Sequence, residues 1–423
     1  MNSLKKLMSN LTFWVLAFAV IGYLSSYFWG NSSWTIMDEP PAFYNFILLL
    51  KSIFLQLLKM MVAPMIFFSL LGGMLSIGSK AQLKEMGGSA VAYYISTTMI
   101  AIILGLSAVF FIHPWESSDP IATKKTESKI MESESYVRPK KYIENDGASV
   151  VKILHKTLLQ ALQNPAEAVV KNNVLGIAFS AFIIGLALIL LTPAASTVST
   201  FVNEVNQVIS KVLGWVITTT PIGVFAITFD FQLKTGGAVI QQLLSFSLLV
   251  VAVTLAHGII VLPLIAFIFT RINPFTLLKK MMRPLLVALT TSSSSATLPV
   301  TMQTCEEEFG VEKGVSGFVF PLGATMNMDG TALFEGIAAV FLAYLFGIEL
   351  TTISIFLIFF MAMISSIGAP GMPSGSMAGM QIVLLSVGIP LEGIGLLLVV
   401  EKPLDAIRTA VNVEGDMIGA LVV

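Results

Sequence analysis

The C-terminal stretch 393-GIGLLLVVEKPLDAIRTAVNVEGDMIGALVV-423 combines an apolar helical pattern with one stripe of polar residues. The stripe consists of Glu401, Asp405, Arg408, Thr409, Asn412 and Asp416. At about 100° per residue these positions fall within an arc of roughly 100°, so one helix face carries them all. Ionisable groups at membrane depth are costly and occur mainly along substrate or ion pathways. The stretch therefore predicts a membrane protein whose transport path is lined by this helix.

The composition is that of a membrane protein. Of 423 residues, 55% are hydrophobic and 12% are charged, whereas soluble domains carry about 25% charged residues. We therefore expect an all-α polytopic membrane protein. The net charge of −1 argues against a nucleic-acid partner. The single cysteine excludes an intramolecular disulfide, and three histidines far apart in sequence form no metal-ligand pattern.

Six apolar stretches of membrane-spanning length precede residue 271. They cover 11–29, 43–77, 89–112, 166–192, 200–229 and 238–270. Lys and Arg clusters precede the first stretch and follow the second and the sixth, which predicts a cytoplasmic N-terminus. The polar segment 114–152 then becomes an extracytoplasmic loop. Low cysteine content and short loops favour a bacterial inner membrane as the location.

Two later segments are too short and too broken to span a bilayer as single helices. The serine run in 291-TSSSSATLP-299 separates two short apolar flanks, and 350–388 is interrupted by glycine and proline. Irregular backbone at membrane depth must be buried in protein or line a cavity. Both segments therefore predict re-entrant hairpins, and the tip of the second is the candidate gate. The gate residues are Gly368, Pro370, Gly371 and Pro373.

Between the hairpins, the motif 321-PLGATMNMDGTALFEG-336 places Asn327, Asp329 and Thr331 beside glycines. An interrupted helix at this point would supply free carbonyls, and oxygen ligands suit a hard cation. Two interrupted segments in corresponding positions are typical of a secondary transporter with a site near the bilayer midplane.

Three motifs in this order and spacing resemble one family, the dicarboxylate/amino acid:cation symporters, which include the excitatory amino acid transporters. They are 291–299, 321–336 and 405-DAIRTAVNVEGD-416, and the resemblance covers nearly the whole chain. It implies eight transmembrane helices plus two re-entrant hairpins, inverted repeats, and an elevator-type glutamate transporter fold. Residues 1–270 would form six helices of the scaffold and part of the transport domain. Residues 271–423 would form the transport core, and three copies would assemble as a homotrimer.

The resemblance also implies a substrate site. Asp405 would hold the α-ammonium of an amino acid, and Arg408 would bind its side-chain carboxylate by a bidentate ion pair. The presence of both residues favours L-glutamate or L-aspartate as the substrate. A neutral amino acid would leave Arg408 unpaired, and a C4-dicarboxylate would leave Asp405 unpaired. The implied substrate-binding set is Ser293, Ser294, Thr331, Asp405, Arg408, Thr409 and Asn412.

Three sodium sites follow from the same resemblance. One would use Asp416, Asn327 and the carbonyls of Gly323 and Asn412. A second would use Tyr94, Thr97, Thr98, Asn327 and Asp329. A third would use carbonyls of Thr325, Ser366, Ile367 and Ala369 as the second hairpin closes. Sodium is therefore the expected co-transported ion.

Glu335 suggests that a proton is carried as well. In family members that move a proton with the substrate an acid occupies this position, whereas sodium-only relatives have glutamine. An acid in a low-dielectric site can bind and release a proton near neutral pH. Glu335 is the candidate proton carrier.

Several other interpretations stay open. The Asp405–Arg408 pair could be a structural ion pair, and Glu335 a satisfied interior acid. An intramembrane enzyme using Asp405 and Asp416 is disfavoured because no histidine, cysteine or paired acid accompanies them. An ion channel is disfavoured by the asymmetric hairpins, which favour alternating access. The second hairpin, GAPGMPSGS, has two prolines where relatives usually carry one, so its tip would be stiffer.

Overall fold

The computed structural model describes most of the chain. Described are residues 11–37, 39–75, 86–113, 159, 161–170, 173–191, 196–235, 238–368 and 375–423. The predicted loop 114–152 lies outside these residues, as do the predicted sodium ligand Ala369 and the gate residues Pro370, Gly371 and Pro373. The described residues are almost entirely helical and contain no strand, so the predicted all-α class is confirmed.

The first part of the chain folds into long apolar helices. They are α1 (Leu11–Trp29), α2 (Ala42–Leu75), α3 (Gly88–Ile112), α4 (Pro165–Val170), α5 (Val174–Leu191), α6 (Ser196–Thr218), α7 (Thr220–Thr235), α8 (Ala238–Ala256) and α9 (Leu262–Thr270). A 3₁₀ turn, Ser32–Ile36, follows α1, and a π-helical turn, His257–Val261, joins α8 to α9.

The predicted span 200–229 is not one straight helix. Helices α6 and α7 meet at Thr219 with a bend of 50°. The cause is Pro221, because a proline ring has no N–H and clashes with the carbonyl four residues earlier. The predicted span 166–192 is likewise divided between α4 and α5.

The second part of the chain contains paired and interrupted helices. They are α10 (Pro274–Thr291), α11 (Ser294–Phe309), α12 (Lys313–Met326), α13 (Asp329–Leu345), α14 (Thr352–Gly368), α15 (Ser376–Val387) and α16 (Glu392–Val422). Helices α10 and α11 pack against each other, as do α14 and α15. These pairs occupy the positions of the two predicted hairpins, called hairpin 1 and hairpin 2 below.

The serine run forms the turn of hairpin 1 for local reasons. Ser292 has a left-handed backbone (φ 50°) and ends α10. Ser293 is extended, and its hydroxyl oxygen accepts a hydrogen bond from the N–H of Ala296, 3.1 Å away. Serine is a preferred helix N-cap because this bond satisfies a free N–H. The run therefore stops one helix and starts the next.

The break between α12 and α13 brings a charge to a helix end. Asn327 and Met328 have non-helical backbone, and Asp329 is the first residue of α13. A carboxylate at this position interacts favourably with the positive end of the helix dipole. The break thus positions Asn327 and Asp329 side by side in the interior, where both are buried.

Helix α16 lies at the centre of the second group of helices. It packs against α8, α10, α11, α12 and α13, and nearly all of α13 and most of the second half of α12 are buried as well. Helices α1, α2, α5, α6 and α7 pack mainly on one another. The functional division at residue 270 stays a prediction.

Four helical stretches in the described residues are long and apolar enough to cross a membrane. They are Ala42–Gly72, Gly88–Ile112, Gln241–Thr270 and Lys313–Leu345, and the bent α6–α7 pair is a possible fifth. Large apolar side chains such as Phe28, Trp29 and Phe111 are exposed on the outside, as a lipid-facing surface requires. The total of eight transmembrane helices stays a prediction.

Candidate substrate and sodium site

Arg408 is the centre of a buried polar cluster on α16. Its side chain is 1% exposed, and its Nη2 lies 2.9 Å from Oε1 of Glu401 and 3.2 Å from Oδ1 of Asp405. The same Nη2 donates to the hydroxyl of Ser376 on α15, 3.0 Å away. The ring of Phe334 lies 3.8 Å from the guanidinium carbon, as in a cation–π contact. Within the described residues, Nε and Nη1 have no hydrogen-bond partner.

Two other predicted substrate residues, Asn412 and Thr331, meet at the start of α13. The carboxamide oxygen of Asn412 accepts a hydrogen bond from the N–H of Gly330 (2.8 Å), and its Nδ2 reaches the hydroxyl of Thr331 at 3.4 Å. Gly330 packs directly on the backbone of Arg408, since a Cβ at residue 330 would lie 2.8 Å from the Arg408 carbonyl oxygen. These contacts bring Asn412, Thr331 and Arg408 together.

Three predicted substrate residues have distinct local roles. Ser293 caps α11, whereas the hydroxyl of Ser294 is buried and has no partner among the described residues. Thr409 donates its hydroxyl to the carbonyl of Asp405, 2.7 Å away, within its own helix. Ser294 therefore offers a free hydroxyl, while that of Thr409 is already engaged.

Members of the first predicted sodium set converge below this cluster. Nδ2 of Asn327 donates to Oδ1 of Asp416 (2.9 Å) and to the carbonyl of Asn412 (3.2 Å). Gly323 faces the same carboxylate: a Cβ there would lie 2.4 Å from Oδ1 of Asp416 and 2.7 Å from the hydroxyl of Tyr94. Only a glycine leaves room for this approach.

Members of the second predicted sodium set also meet. Oδ1 of Asp329 accepts from the hydroxyls of Thr98 (2.7 Å) and Thr97 (3.3 Å). Thr97 is also 3.5 Å from Oδ1 of Asn327. The hydroxyl of Tyr94 donates to the carbonyl of Val319, 2.9 Å away. Carboxylate, amide and hydroxyl oxygens are the donor types that hard cations prefer.

The third predicted sodium set is only partly described. Thr325 and Ser366 each donate a hydroxyl to a carbonyl of their own helix, Leu322 and Met363 respectively. Helices α12 and α14, which carry Thr325, Ser366 and Ile367, pack against each other.

Glu335 is fully buried on α13, six residues after Asp329. Its Oε1 accepts a hydrogen bond from the hydroxyl of Ser365 on α14, 2.9 Å away. Its Oε2 has no partner in the part of the chain that the structure describes. Gly379 on α15 also faces Oε1, so the carboxyl group lies between α13 and both arms of hairpin 2.

Negative charge dominates the buried cluster. Glu401 and Asp405 lie beside the guanidinium of Arg408, and two more buried carboxyl side chains, Asp416 and Asp329, belong to the two sodium sets described above. Charges buried without compensation are strongly unfavourable. The interior is therefore suited to binding cations.

Several contacts of this cluster could not be predicted from local sequence. His257, in the π-helical turn, lies 3.0 Å from Oδ2 of Asp329 through its Nε2. Phe334 under Arg408 and Ser376 beside it also come from other helices. A single histidine in the apolar span 238–270 indicates that its imidazole has a buried hydrogen-bond partner. The sequence does not indicate which residue that partner is. Glu401 belongs to the polar stripe, but the stripe alone does not indicate that it pairs with Arg408.

Comparison with known proteins places these residues in a family. A model described as the sodium:dicarboxylate symporter family matches residues 7–423. An excitatory amino acid transporter of Caenorhabditis elegans is 33% identical over 402 residues, covering 87% of this chain and 79% of that protein. Excitatory amino acid transporter 2 of Rattus norvegicus is 32% identical over 410 residues, covering 88% and 71%.

A neutral amino acid transporter is similar to nearly the same degree. Neutral amino acid transporter A of Homo sapiens is 32% identical over 394 residues, covering 86% of this chain and 73% of that protein. Similarity to relatives thus does not choose between acidic and neutral substrates. Since the family model spans the whole polar cluster and the helices that carry it, this chain is a multi-pass membrane transport protein that belongs to the sodium:dicarboxylate symporter family.

Proposed function

We propose that this protein is a sodium-coupled symporter of acidic amino acids, L-glutamate or L-aspartate. The observation that carries the proposal is the guanidinium of Arg408, which is buried beside Asp405 and has unpaired N–H groups on Nε and Nη1 among the described residues. A carboxylate is the natural ligand of such a group, because Nε and Nη1 are each one half of a fork that, together with Nη2, binds a carboxylate through two parallel hydrogen bonds.

The α-amino and α-carboxyl groups of the substrate would be bound around the same guanidinium. Asp405 would accept the ammonium, and the amide of Asn412, the hydroxyl of Thr331 and the buried hydroxyl of Ser294 would hold the α-carboxylate. The mutual contacts of Asn412, Thr331 and the α13 backbone support this role. A C4-dicarboxylate would leave Asp405 without its cation, so it is the less favoured substrate.

Sodium would compensate the excess of buried carboxylates. Asp416 with Asn327 and Gly323 forms one candidate site, and Asp329 with Thr97 and Thr98 forms another. The carbonyls of Thr325, Ser366, Ile367 and Ala369 would form the third as hairpin 2 closes. Coupling follows because a core loaded with only one partner retains uncompensated charge, which opposes its movement across the membrane.

Glu335 would carry a proton with the substrate. Its position between α13 and hairpin 2, with Oε2 unpaired among the described residues, supports this role. The carboxyl group would be protonated when the loaded core moves inward and would release the proton on the other side.

The larger assembly follows the family pattern. The protein would lie in the cell membrane with a cytoplasmic N-terminus, and three copies would form a homotrimer. Residues 271–423, as the transport core, would slide against the scaffold formed within 1–270, and the tip of hairpin 2 would open and close as the gate.

Competition for uptake tests the substrate assignment. In proteoliposomes with an inward sodium gradient, unlabelled L-glutamate and L-aspartate should block uptake of labelled L-glutamate, whereas L-serine and succinate should not. Arg408→Ala should abolish glutamate uptake. Efficient competition by L-serine would instead favour the neutral amino acid alternative, which the names of three relatives support. Competition by succinate would favour a C4-dicarboxylate carrier.

A further inference from the structure

Ser376, the first residue of α15, is the contact between hairpin 2 and the guanidinium. Its hydroxyl accepts a hydrogen bond from Nη2 of Arg408 (3.0 Å) and donates one to Oε1 of Glu401 (3.1 Å). Nη2 itself lies 2.9 Å from the same Oε1. The three groups thus form a closed triangle, and all three side chains are buried. The triangle joins hairpin 2 to α16.

The triangle occupies the part of Arg408 that a substrate carboxylate needs. A guanidinium offers two forks for a bidentate carboxylate, one made by Nη1 and Nη2 and the other by Nε and Nη2. Nη2 belongs to both forks and carries two N–H groups. In this structure it already serves three acceptors, on Ser376, Glu401 and Asp405. No carboxylate can bind Arg408 through two bonds unless one of these acceptors leaves.

The guanidinium is also fixed in orientation. Phe334 lies against its face at 3.8 Å, while Nε and Nη1 have no partner among the described residues. Among the described residues, the hydrogen bonds of the guanidinium are therefore all made by Nη2, and the bond that breaks when a carboxylate binds through a fork must be one of these. Asp405 and Glu401 lie on the same helix as Arg408, whereas Ser376 lies on the hairpin.

We propose that Ser376, together with Glu401, occupies the place of the substrate carboxylate on Arg408 when the carrier is empty. The hydrogen bonds of Ser376 then hold hairpin 2 against α16. The inference rests on the proposed function and extends it to the unloaded carrier. When substrate binds, its carboxylate takes the place of the Ser376 hydroxyl on Nη2, and hairpin 2 is then held by the substrate and sodium. Ser376 is a positioning residue, since it acts through Arg408 and the hairpin.

The role of Ser376 predicts a difference between two modes of transport. Net uptake requires the empty carrier to return, whereas exchange of internal for external substrate requires only the loaded carrier to cross. Ser376→Ala removes the hydrogen bond between the hydroxyl and the charged guanidinium. Hairpin 2 then loses its contact with Arg408 in the empty carrier, whereas substrate and sodium still hold it in the loaded carrier. The ratio of net uptake to exchange should therefore fall by about tenfold or more.

The experiment compares both rates in one batch of proteoliposomes. Labelled L-glutamate uptake is measured with an inward sodium gradient into vesicles that are empty of substrate or preloaded with unlabelled L-glutamate and sodium. Ser386→Ala is the matched control, because Ser386 lies on the same helix and, among the described residues, donates its hydroxyl only to the carbonyl of Val383 in its own helix. Ser376→Thr, which restores a hydroxyl, should recover the ratio.

The outcomes separate this inference from the proposed function. A ratio in Ser376→Ala equal to that of the wild type and Ser386→Ala would overturn the role of Ser376. If the wild type itself neither accumulates nor exchanges acidic amino acids, the proposed function fails. Should Ser376→Ala be inactive in both modes, Ser376→Cys takes its place, because a thiol is a much weaker hydrogen-bonding group. The same ratio then decides.

Discussion

Nε2 of His257 lies 3.0 Å from Oδ2 of Asp329, and neither side chain is exposed. Because a carboxylate only accepts, a neutral His257 must carry its proton on Nε2 here. The other oxygen, Oδ1, is held by the hydroxyls of Thr97 and Thr98. The imidazole thus fixes one side of a carboxylate whose other side faces the predicted sodium set.

His257 should accordingly influence sodium affinity without binding sodium. Outer partners of metal ligands typically contribute about 10–100-fold to metal affinity. His257→Leu should raise the sodium concentration for half-maximal glutamate uptake by about tenfold, and His257→Gln, which keeps a donor, should raise it less. The matched control is His113→Asn at the end of α3, where asparagine tolerates the left-handed backbone (φ 36°). Equal sodium dependence in all of these variants would refute the role.

Gly323 offers a test of the first sodium set by steric means. Gly323→Ala would put a Cβ 2.4 Å from Oδ1 of Asp416 and 2.7 Å from the hydroxyl of Tyr94. We expect this variant to lose most sodium-dependent uptake, because both groups must move. Gly317→Ala on the same helix has no atom within 4 Å of the new methyl group and should behave like the wild type. Sodium-dependent uptake that survives in Gly323→Ala would show that Asp416 and Tyr94 need not keep this geometry.

Glu335 should make uptake depend on pH. If Glu335 must be protonated for the loaded core to move, wild-type uptake falls as the external pH rises, because fewer carriers hold the proton. Glu335→Gln mimics the protonated form and keeps an oxygen that can accept from Ser365. Its uptake should be flat over the pH range in which the wild type declines.

A control at Glu308, on α11, separates this effect from surface charge, since the side chain of Glu308 is half exposed and forms a surface ion pair with Lys280. Glu308→Gln should keep the wild-type pH profile. A profile in Glu335→Gln that still follows the wild type would assign the proton to another group.

A second buried ion cluster should affect stability but not sodium affinity. Oδ2 of Asp230 on α7 lies 2.6 Å from Nζ of Lys51 and 2.9 Å from Nζ of Lys234, and its Oδ1 accepts from the hydroxyl of Tyr44. Removal of the Asp230 carboxylate leaves two partly buried ammonium groups and the hydroxyl of Tyr44 without their acceptor, which is destabilising. Asp230→Ala should therefore lower the melting temperature of the purified protein in detergent.

Glu204→Ala on α6 is the comparison for that measurement, because residue 204 is exposed. It should melt like the wild type. The half-maximal sodium concentration should be unchanged in Asp230→Ala, as expected if the cluster belongs to the proposed scaffold. A large loss of sodium affinity would contradict that placement.

Local signals allowed much of the fold to be predicted. The serine run marks the turn of hairpin 1 because serine both ends and caps helices, and the polar stripe lies on the single helix α16 as its periodicity requires. Pro221, by contrast, was an available signal for the bend between α6 and α7 that the apolar pattern obscured. The lengths of α4 and α5 were also not evident from hydropathy.

Side-chain contacts between helices that are distant in sequence could not be predicted from the sequence. The His257–Asp329 contact joins residues 72 positions apart, and Ser376 meets Arg408 from 32 positions away. Neither pair has a periodic or spacing signature, because each depends on how whole helices pack. Glu414 is a further case. It lies on α16 opposite the polar stripe, as helical geometry predicts, and its carboxylate faces Gly258 in the π-helical turn.

The most direct test of the account is uptake of labelled L-glutamate into proteoliposomes that contain the wild-type protein. An inward sodium gradient is compared with equimolar choline, at equal pH on both sides. The account predicts concentrative uptake with sodium and none with choline. Equal accumulation in both, or no accumulation of either L-glutamate or L-aspartate under any sodium gradient, would contradict it.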